Sequence, residues 1–138
     1  MSESPPVEAV VHVAQFRAAL RRFMRTSEQI ARASGLTPQR YLLLLMIKGA
    51  ADGSERSTVT ELSERLQLAQ STVTELVRRA EEVGLVAREQ STEDGRVALL
   101  GLTTEGERRL AKSFTRLEPE RAALREMLEH LDAESATA

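Results

Sequence analysis

The spacing of the apolar residues changes at Gly84, and this change limits what the chain can fold into. Before Gly84, apolar side chains recur at the three- and four-residue steps of one helix face. They are Val73, Leu76, Val77 and Ala80. After Gly84, two short runs rich in apolar residues, 85–89 and 97–102, flank a segment rich in Ser, Thr, Asp and Gly. The pattern predicts a helix that ends at Gly84 and leads directly into a β-hairpin.

The residues before this helix predict a second, shorter helix joined to it by a tight turn. Thr60 is predicted to cap a helix over residues 61–67. Only residues 68–70 remain for the connection to the next helix, which is predicted over residues 71–83. Two helices in this arrangement are typical of a helix-turn-helix, and the hairpin that follows them would form its wing.

Both ends of the chain predict longer helices. Residues 7–34 carry one apolar stripe that ends before Gly35, and residues 38–48 predict a central helix that is apolar nearly all round. Thr103 is predicted to cap a final long helix, which Pro119 would kink. The expected fold class is therefore mainly α with a small β-hairpin wing: a winged helix-turn-helix with long N- and C-terminal helices.

The second helix of the motif begins with the small polar side chains that a DNA-reading helix needs. The start of that helix enters the major groove, so short groups let the backbone approach the bases. The candidate residues are Gln70, Ser71, Thr72 and Thr74. Glutamine can bond adenine bidentately, and threonine offers both a hydroxyl and a methyl group. At the wing tip, Arg96 is the candidate for the narrow, electronegative minor groove, and Asp94 is placed to fix its direction.

The charge of the chain limits how it would hold double-stranded DNA. The 19 basic and 21 acidic residues give a formal net charge of −2, which argues against an extended basic surface. Within residues 70–96, four arginines stand against six acidic residues. The sequence therefore predicts few phosphate contacts and modest affinity. Four further cations would help if they face the same way: Arg40, Lys48, Arg56 and Arg65.

The apolar stripes of the two terminal helices have two interpretations, an intramolecular core or a dimer interface. A small lobe cannot bury both stripes, so a homodimer is favoured, and two reading helices about 34–36 Å apart would then read a palindrome. The expected domains are an N-terminal dimerisation helix (1–36), a DNA-binding lobe (37–103) and a C-terminal dimerisation helix (104–138). The residues assigned to the dimer interface are Val13, Leu20, Leu117, Leu124, Leu128 and Leu131.

The chain resembles the MarR (multiple antibiotic resistance regulator) family. The resemblance is carried by Gly84-Leu85-Val86, Asp94-Gly95-Arg96, Thr103 and Gly106, at the spacing of the family signature, and it extends over nearly the whole chain. It implies a homodimeric transcriptional regulator, more often a repressor than an activator, that reads a palindromic operator and responds to a small aromatic effector.

The resemblance also assigns roles to residues of the reading helix. It implies that Ser71, Thr72, Thr74 and Glu75 take base-reading positions, that Thr60, Arg78 and Arg79 contact phosphates, and that Arg96 enters the minor groove. Three residues depart from the family pattern, and one of them, Ala80 where Leu is usual, is a change in packing. Glu75 stands where Arg is common, so it either accepts from cytosine N4 or faces water, and Gly95 replaces a second wing cation.

A further departure concerns the C-terminus. The family closes its dimer with a sixth helix, and this chain ends near Ala138, about where that helix would begin. The expectation is a dimer interface that ends earlier than in relatives. The acidic reading segment also supports an alternative function, a winged-helix module for protein contacts without DNA binding. DNA binding is favoured because the polar helix start and Arg96 have no packing purpose.

Few other residues suggest a site. The resemblance implies an effector pocket at His12, Phe16, Arg17 and Tyr41; alternatively, Phe16 and Tyr41 belong to the core and Arg17 is solvated. His12 and His130 without any Cys are a weak ligand set, so neither a metal nor another cofactor is expected. No nucleophile has a partnered base, which argues against an enzyme. No apolar run could span a membrane and no signal pattern opens the chain, so the expected location is the cytoplasm.

Overall fold

A computed structural model of the chain describes residues 4–91, 93 and 95–137, and the side chains only as far as residue 131. This part of the chain forms helices and one antiparallel pair of strands in an order that confirms the mainly helical fold with a hairpin wing. The elements are α1 (Val7–Ala33), α2 (Pro38–Lys48), α3 (Val59–Leu66), α4 (Gln70–Glu82), β1 (Val86–Gln90), β2 (Ala98–Leu102), α5 (Thr104–Arg116) and α6 (Glu118–Thr137).

Helix α2 lies at the centre of the core, as its uniform apolar character predicts. Leu43, Leu44 and Ile47 are fully buried, and α2 contacts α1, α3, α4, α5 and β2. Burial of each such side chain contributes about 1.5–3 kcal/mol to folding. Because α2 supports α3, α4 and β2 together, it fixes where the reading helix and the wing stand relative to each other.

The junction between α1 and α2 follows the sequence prediction. Gly35 has φ +78°, a left-handed conformation that other residues rarely adopt, and it ends α1. The N–H of Leu36 reaches back 2.9 Å to the carbonyl of Ala31 and satisfies one of the last helix carbonyls. The hydroxyl of Thr37 then accepts from the N–H of Arg40 at 3.1 Å and caps α2, with Pro38 in its first position.

Helix α3 begins two residues before the predicted start, so the assignment of Thr60 as its cap is wrong. The cap is Thr58, whose hydroxyl accepts from the N–H of Glu61 at 3.1 Å, while the Glu61 carboxylate accepts from the N–H of Thr58 at 3.0 Å. This reciprocal capping box requires a threonine three residues before a glutamate. Thr58 has that spacing to Glu61 and Thr60 does not.

Replacement of Thr58 by alanine should therefore lower the free energy of unfolding by about 1 kcal/mol, because the N–H of Glu61 at the start of α3 loses its partner. Replacement of Thr60, which is exposed in the second position of α3, should cost less than about 0.5 kcal/mol. Urea denaturation of both variants measures the difference. A larger loss for Thr60→Ala than for Thr58→Ala would contradict the capping assignment.

The wing is a regular hairpin that is tied to the start of α3. Strands β1 and β2 pair from Val86 opposite Leu102 to Gln90 opposite Ala98. Each begins one residue later than predicted, since Leu85 and Val97 lie outside the paired region. Ser57 and Leu100 exchange two backbone hydrogen bonds, at 3.1 and 2.8 Å, so the segment before α3 adds a short bridge to β2.

Thr103 joins the end of the reading unit to α5. Its hydroxyl accepts from the N–H of Gly106 at 3.0 Å, which confirms the predicted cap of α5, and it donates to the carbonyl of Gly84 at 2.6 Å. Its own N–H donates to the carbonyl of Leu85 at 3.0 Å. One residue therefore contacts the turn after α4 and the first turn of α5.

The predicted kink at Pro119 is confirmed in position, but the expected single C-terminal helix is wrong, because two helices, α5 and α6, meet at Leu117. Pro119 is the cause: it has no N–H to donate to the carbonyl four residues earlier, and its ring crowds that carbonyl. The expectation that the chain ends where a sixth helix would begin is wrong as well, since α6 spans Glu118–Thr137 and packs along α1. Among the helices described, none is both long and apolar enough to cross a membrane.

Candidate nucleic-acid interface

Helix α4 has one buried side and one polar side. Val73, Val77 and Ala80 are fully buried against the core, whereas the Ser71, Thr72 and Thr74 side chains are exposed. The three- and four-residue spacing of the apolar positions produces this division. The structure therefore places Ser71, Thr72 and Thr74 together on the open side of α4, within its first five residues.

The connection between α3 and α4 is short because Gln67 adopts a left-handed conformation, with φ 56° and ψ 46°. The hydroxyl of Ser63 donates to the carbonyl of Leu68 at 2.6 Å, and this partly buried hydrogen bond stabilises the turn. The side-chain amide of Gln70 donates to the hydroxyl of Thr60 at 3.4 Å, a long hydrogen bond between the two helices. Two residues assigned separately to DNA contact, Thr60 and Gln70, thus lie side by side.

Sequence reasoning missed one residue of this surface. Gln39, in the first turn of α2, lines a cleft of about 370 Å³ together with Ser71, Thr72, Glu75 and Arg79. Nothing in the local sequence indicates this position. The start of α2 comes beside α4 only through the packing of the two helices in the core.

The arginines of α4 are engaged by a carboxylate of the same helix. Glu75 accepts two hydrogen bonds from Arg78, from Nε at 2.9 Å and Nη2 at 2.5 Å, and one from Arg79 Nε at 3.1 Å. Glu82 also pairs with Arg78. The hydrogen bonds from Arg78 and then Arg79 lower the pKa of Glu75 to about 2. Because this pKa lies below its ordinary value, the pairing persists at neutral pH and weakens only as the pH falls towards 2.

Three of the four supplementary cations are engaged elsewhere. Arg56 Nε lies 2.7 Å from Glu89, Lys48 Nζ lies 2.7 Å from Glu107 and also contacts Glu55, and Arg65 donates to the carbonyls of Met46 and Gly49 at 3.2 and 3.0 Å. Arg88 on β1 pairs with Glu81 at 3.0 Å. The residue count already indicates a shortage of positive charge. These ion pairs among the described residues neutralise several of the cations that are present.

The wing tip carries the remaining candidate. Arg96 is exposed next to Gly95 at the end of the hairpin, which is the position that a minor-groove contact requires. Asp94, predicted to fix the direction of Arg96, lies outside the described residues. The exposed start of α4 and the exposed Arg96 therefore belong to the two parts of the winged motif that enter separate grooves of a duplex.

Of the four residues assigned to an effector pocket, only Tyr41 lines the cavity beside it, and the other three do not. Tyr41 is 4% exposed and lines a cavity of about 100 Å³ between α1 and α2. Burial raises the pKa of Tyr41, and the charge of Arg121 partly opposes that effect. The ring of His12 instead meets that of His130, with 6.2 Å between centroids. Phe16 is half-buried and Arg17 is exposed on α1.

A cavity larger than the one at Tyr41 lies between α2 and α5, at a place that no sequence pattern indicates. Its volume is about 360 Å³, and Leu45, Leu110 and Phe114 line it beside Lys48 and Glu107. The volume and the apolar lining of this cavity are typical of sites that hold small organic molecules. Within the described residues, no three His, Cys, Asp or Glu side chains are grouped so as to hold a metal ion.

The residues assigned to a dimer interface divide into two groups. Leu117 is 1% exposed and belongs to the core of a single chain, so its assignment to the interface is wrong. It continues the buried face of α5, on which Leu110 and Ser113 lie seven and four residues earlier. Val13 is 57% exposed and Leu128 45% exposed, while Leu20, Leu124 and Leu131 are partly buried. Five of the six assigned residues therefore keep apolar surface outside the core.

Comparison with known proteins adds four findings. The MarR family model matches residues 34–97. The Bacillus subtilis (strain 168) organic hydroperoxide resistance transcriptional regulator is 37% identical over 71 residues, which are 51% of this chain and 46% of that protein. The chain thus matches just under half the length of that relative.

A second B. subtilis relative, the uncharacterized HTH-type transcriptional regulator YsmB, is 32% identical over 117 residues, covering 82% of this chain and 75% of that protein. A variant of S. aureus MepR bound to an oligodeoxyribonucleotide is similar in fold, with a TM-score of 0.65 at 21% identity over 91% of this chain and 93% of that one.

Proposed function

The chain belongs to the MarR family of transcriptional regulators, and we propose that it represses transcription as a homodimer bound to a palindromic operator. Regulators of this family bind DNA, act as dimers and are not enzymes. The observation that carries the proposal is the start of α4, where Ser71, Thr72 and Thr74 are exposed and Val73 between them is fully buried. Polar residues at that place have no role in packing.

In the proposed complex the two parts of the winged motif read different grooves. The first turn of α4 enters the major groove, where threonine hydroxyl and methyl groups and the Gln70 amide contact base edges. Arg96 enters the minor groove, and Thr60, Arg78 and Arg79 contact phosphates on either side. Operator binding by a repressor would block transcription from the adjacent promoter.

Dimerisation would set the distance between the two reading heads. Half-sites about 34–36 Å apart require two copies related by a twofold axis. The exposed apolar side chains of α1 and α6, Val13 and Leu128 among them, support an interface built from these helices, with Leu20, Leu124 and Leu131 beside them. We divide the chain accordingly into dimerisation segments at 1–36 and 104–138 and a DNA-binding lobe at 37–103. With chromosomal DNA as its partner, the protein would work in the cytoplasm.

A small aromatic effector would release the operator by changing the relative position of the two heads. The cavity between α2 and α5 is a better candidate site than the four residues assigned from sequence. Its volume of about 360 Å³ is within the range of small-molecule sites, whereas the cavity at Tyr41, about 100 Å³, is below it. Addition of a hydroxybenzoate to the protein–operator complex should then free the DNA, and tight binding that no such compound weakens would argue against an effector.

A second candidate function is a winged-helix module for protein contacts. The ion pairs of Glu75, Glu81 and Glu89 with arginines favour it, because they occupy cations that a DNA-binding surface needs. Such a module would bind no duplex at any salt concentration.

The test is a titration of the protein with duplex DNA from its own promoter region, read by mobility shift or fluorescence anisotropy. A DNA-binding regulator should bind tightly at low salt and lose affinity steeply between roughly 50 and 200 mM salt, because counterions are released from each neutralised phosphate. Footprinting of the complex should reveal two half-sites related by symmetry. The absence of binding to both specific and random duplexes at low salt would leave the protein-contact module as the better explanation.

A further inference from the structure

Glu75 binds its two arginines through the atoms with which those arginines would bind DNA. The Nε and Nη2 groups of Arg78 form a fork on the carboxylate, at 2.9 and 2.5 Å. A guanidinium uses the same fork to bind a phosphate. Arg79 also donates a hydrogen bond from its Nε to Glu75, at 3.1 Å. A DNA phosphate must therefore displace the carboxylate before it can take the same positions.

The cluster of Glu75, Arg78 and Arg79 lies at the surface of α4 that is proposed to read DNA. Glu75 and Arg79 line the cleft that also contains Ser71, Thr72 and Gln39. The side chains of Glu75, Arg78 and Arg79 are 45–60% exposed, so a duplex can reach all three. Competition between the carboxylate and phosphates takes place at the surface that DNA would cover.

From this geometry we infer that Glu75 is a positioning residue that raises sequence discrimination, because it holds Arg78 and Arg79 along α4 until a well-fitted duplex displaces it. This inference rests on the proposed function. In a loosely held random duplex no base contact offsets the loss of the ion pairs, so the arginines stay on Glu75. In the operator complex the base contacts bring the phosphates close enough to exchange with the carboxylate.

The chain contains a matched control for this cluster. Glu105 of α5 accepts from Arg108 at 2.8 and 2.6 Å and from Arg109 at 2.8 Å, with the same three- and four-residue spacing. One carboxylate thus pairs with two arginines at the same spacing on a helix that is not assigned to DNA, although Arg78 also pairs with Glu82 and Arg109 also donates to the carbonyl of Gly35. A change that acts only through helix stability or net charge should give the same result at Glu105 as at Glu75.

The experiment compares Glu75→Gln and Glu105→Gln in the full chain. One duplex is selected on the wild-type protein from a random-sequence library, and the other is a scrambled duplex of equal length and composition. For Glu75→Gln, affinity for the scrambled duplex should rise on the order of tenfold at low salt, the effect expected when exposed ion pairs no longer compete in both heads. The salt slope should steepen by about 0.9 for each additional phosphate contacted.

Affinity of the Glu75→Gln variant for the selected duplex should rise by less than about threefold, so the discrimination ratio falls. Glu105→Gln should change neither value. Replacement of Arg78 and Arg79 by alanine in the Glu75→Gln background should remove the gain, which a merely structural role of Glu75 would not predict.

Two results would overturn the inference alone. An unchanged salt slope on the scrambled duplex would mean that the released arginines do not reach phosphates. Weaker binding of Glu75→Gln to the selected duplex would mean that the carboxylate contacts a base. If the wild-type protein binds no duplex even at low salt, the proposed function fails, and the inference fails with it.

Discussion

Replacement of Thr72 and Arg96 together by alanine should weaken operator binding by roughly a hundredfold or more and leave folding unchanged. Each good base contact contributes about 1–3 kcal/mol to discrimination, and 1.4 kcal/mol corresponds to a factor of ten. A dimer loses both contacts twice. Both side chains are exposed in the free chain, so neither substitution creates a cavity in the core.

The two single variants should differ in their dependence on salt. Arg96→Ala removes a positive charge from each head, so it should flatten the slope of affinity against salt concentration, while Thr72→Ala removes no charge and should leave the slope unchanged. Fluorescence anisotropy at several salt concentrations measures both effects. Thr104→Ala and Arg116→Ala, exposed positions of α5, serve as controls. Wild-type affinity of the double variant would refute both residue assignments.

Replacement of Gly106 by alanine should lower the free energy of unfolding by on the order of 3 kcal/mol. A Cβ atom at this position would lie 2.1 Å from the carbonyl oxygen of Leu85, which is a backbone atom. That carbonyl also accepts from the N–H of Thr103 at 3.0 Å, so it cannot turn aside without the loss of a hydrogen bond. The gain of about 1 kcal/mol from alanine in a helix is smaller than the cost of such overpacking.

Gly95→Ala provides the control for this substitution. A Cβ atom at Gly95 would meet its nearest neighbour, the Gln90 side chain, at an ordinary 3.7 Å, so the expected change is within about 0.5 kcal/mol. Urea denaturation of both variants gives the comparison. Equal stability of Gly106→Ala and Gly95→Ala would mean that α5 does not pack against Leu85 as described.

The sequence was informative wherever one local rule decided the structure. The end of α1 is marked by Gly35, and the start of α2 is marked by Thr37 and Pro38. The change of apolar spacing at Gly84 locates the wing. The cap of α3 was missed because two threonines lie close together. The spacing from Thr58 to Glu61 distinguishes them, so this error was avoidable.

Other features depend on packing between distant segments. Leu117 lies on the same face of α5 as Leu110, and only the packing of that face against the rest of the chain makes it part of the core. Gln39 reaches the reading surface because α2 packs beside α4. The pairing of Glu75 with Arg78 and Arg79 could be predicted in part. Its three- and four-residue spacing is visible in the sequence, but a count of charges over residues 70–96 does not reveal it.

The hydrogen bonds of Thr103 have a mechanical consequence. One side chain bonds the carbonyl of Gly84 at 2.6 Å and the N–H of Gly106 at 3.0 Å. These two bonds hold the turn after α4 against the first turn of α5. A tilt of α5 is therefore expected to carry the end of α4 with it. On the C-terminal side of the lobe, a hinge between the reading helix and the dimer is then expected beyond the first turn of α5, and the helix break at Leu117 is the first interruption there.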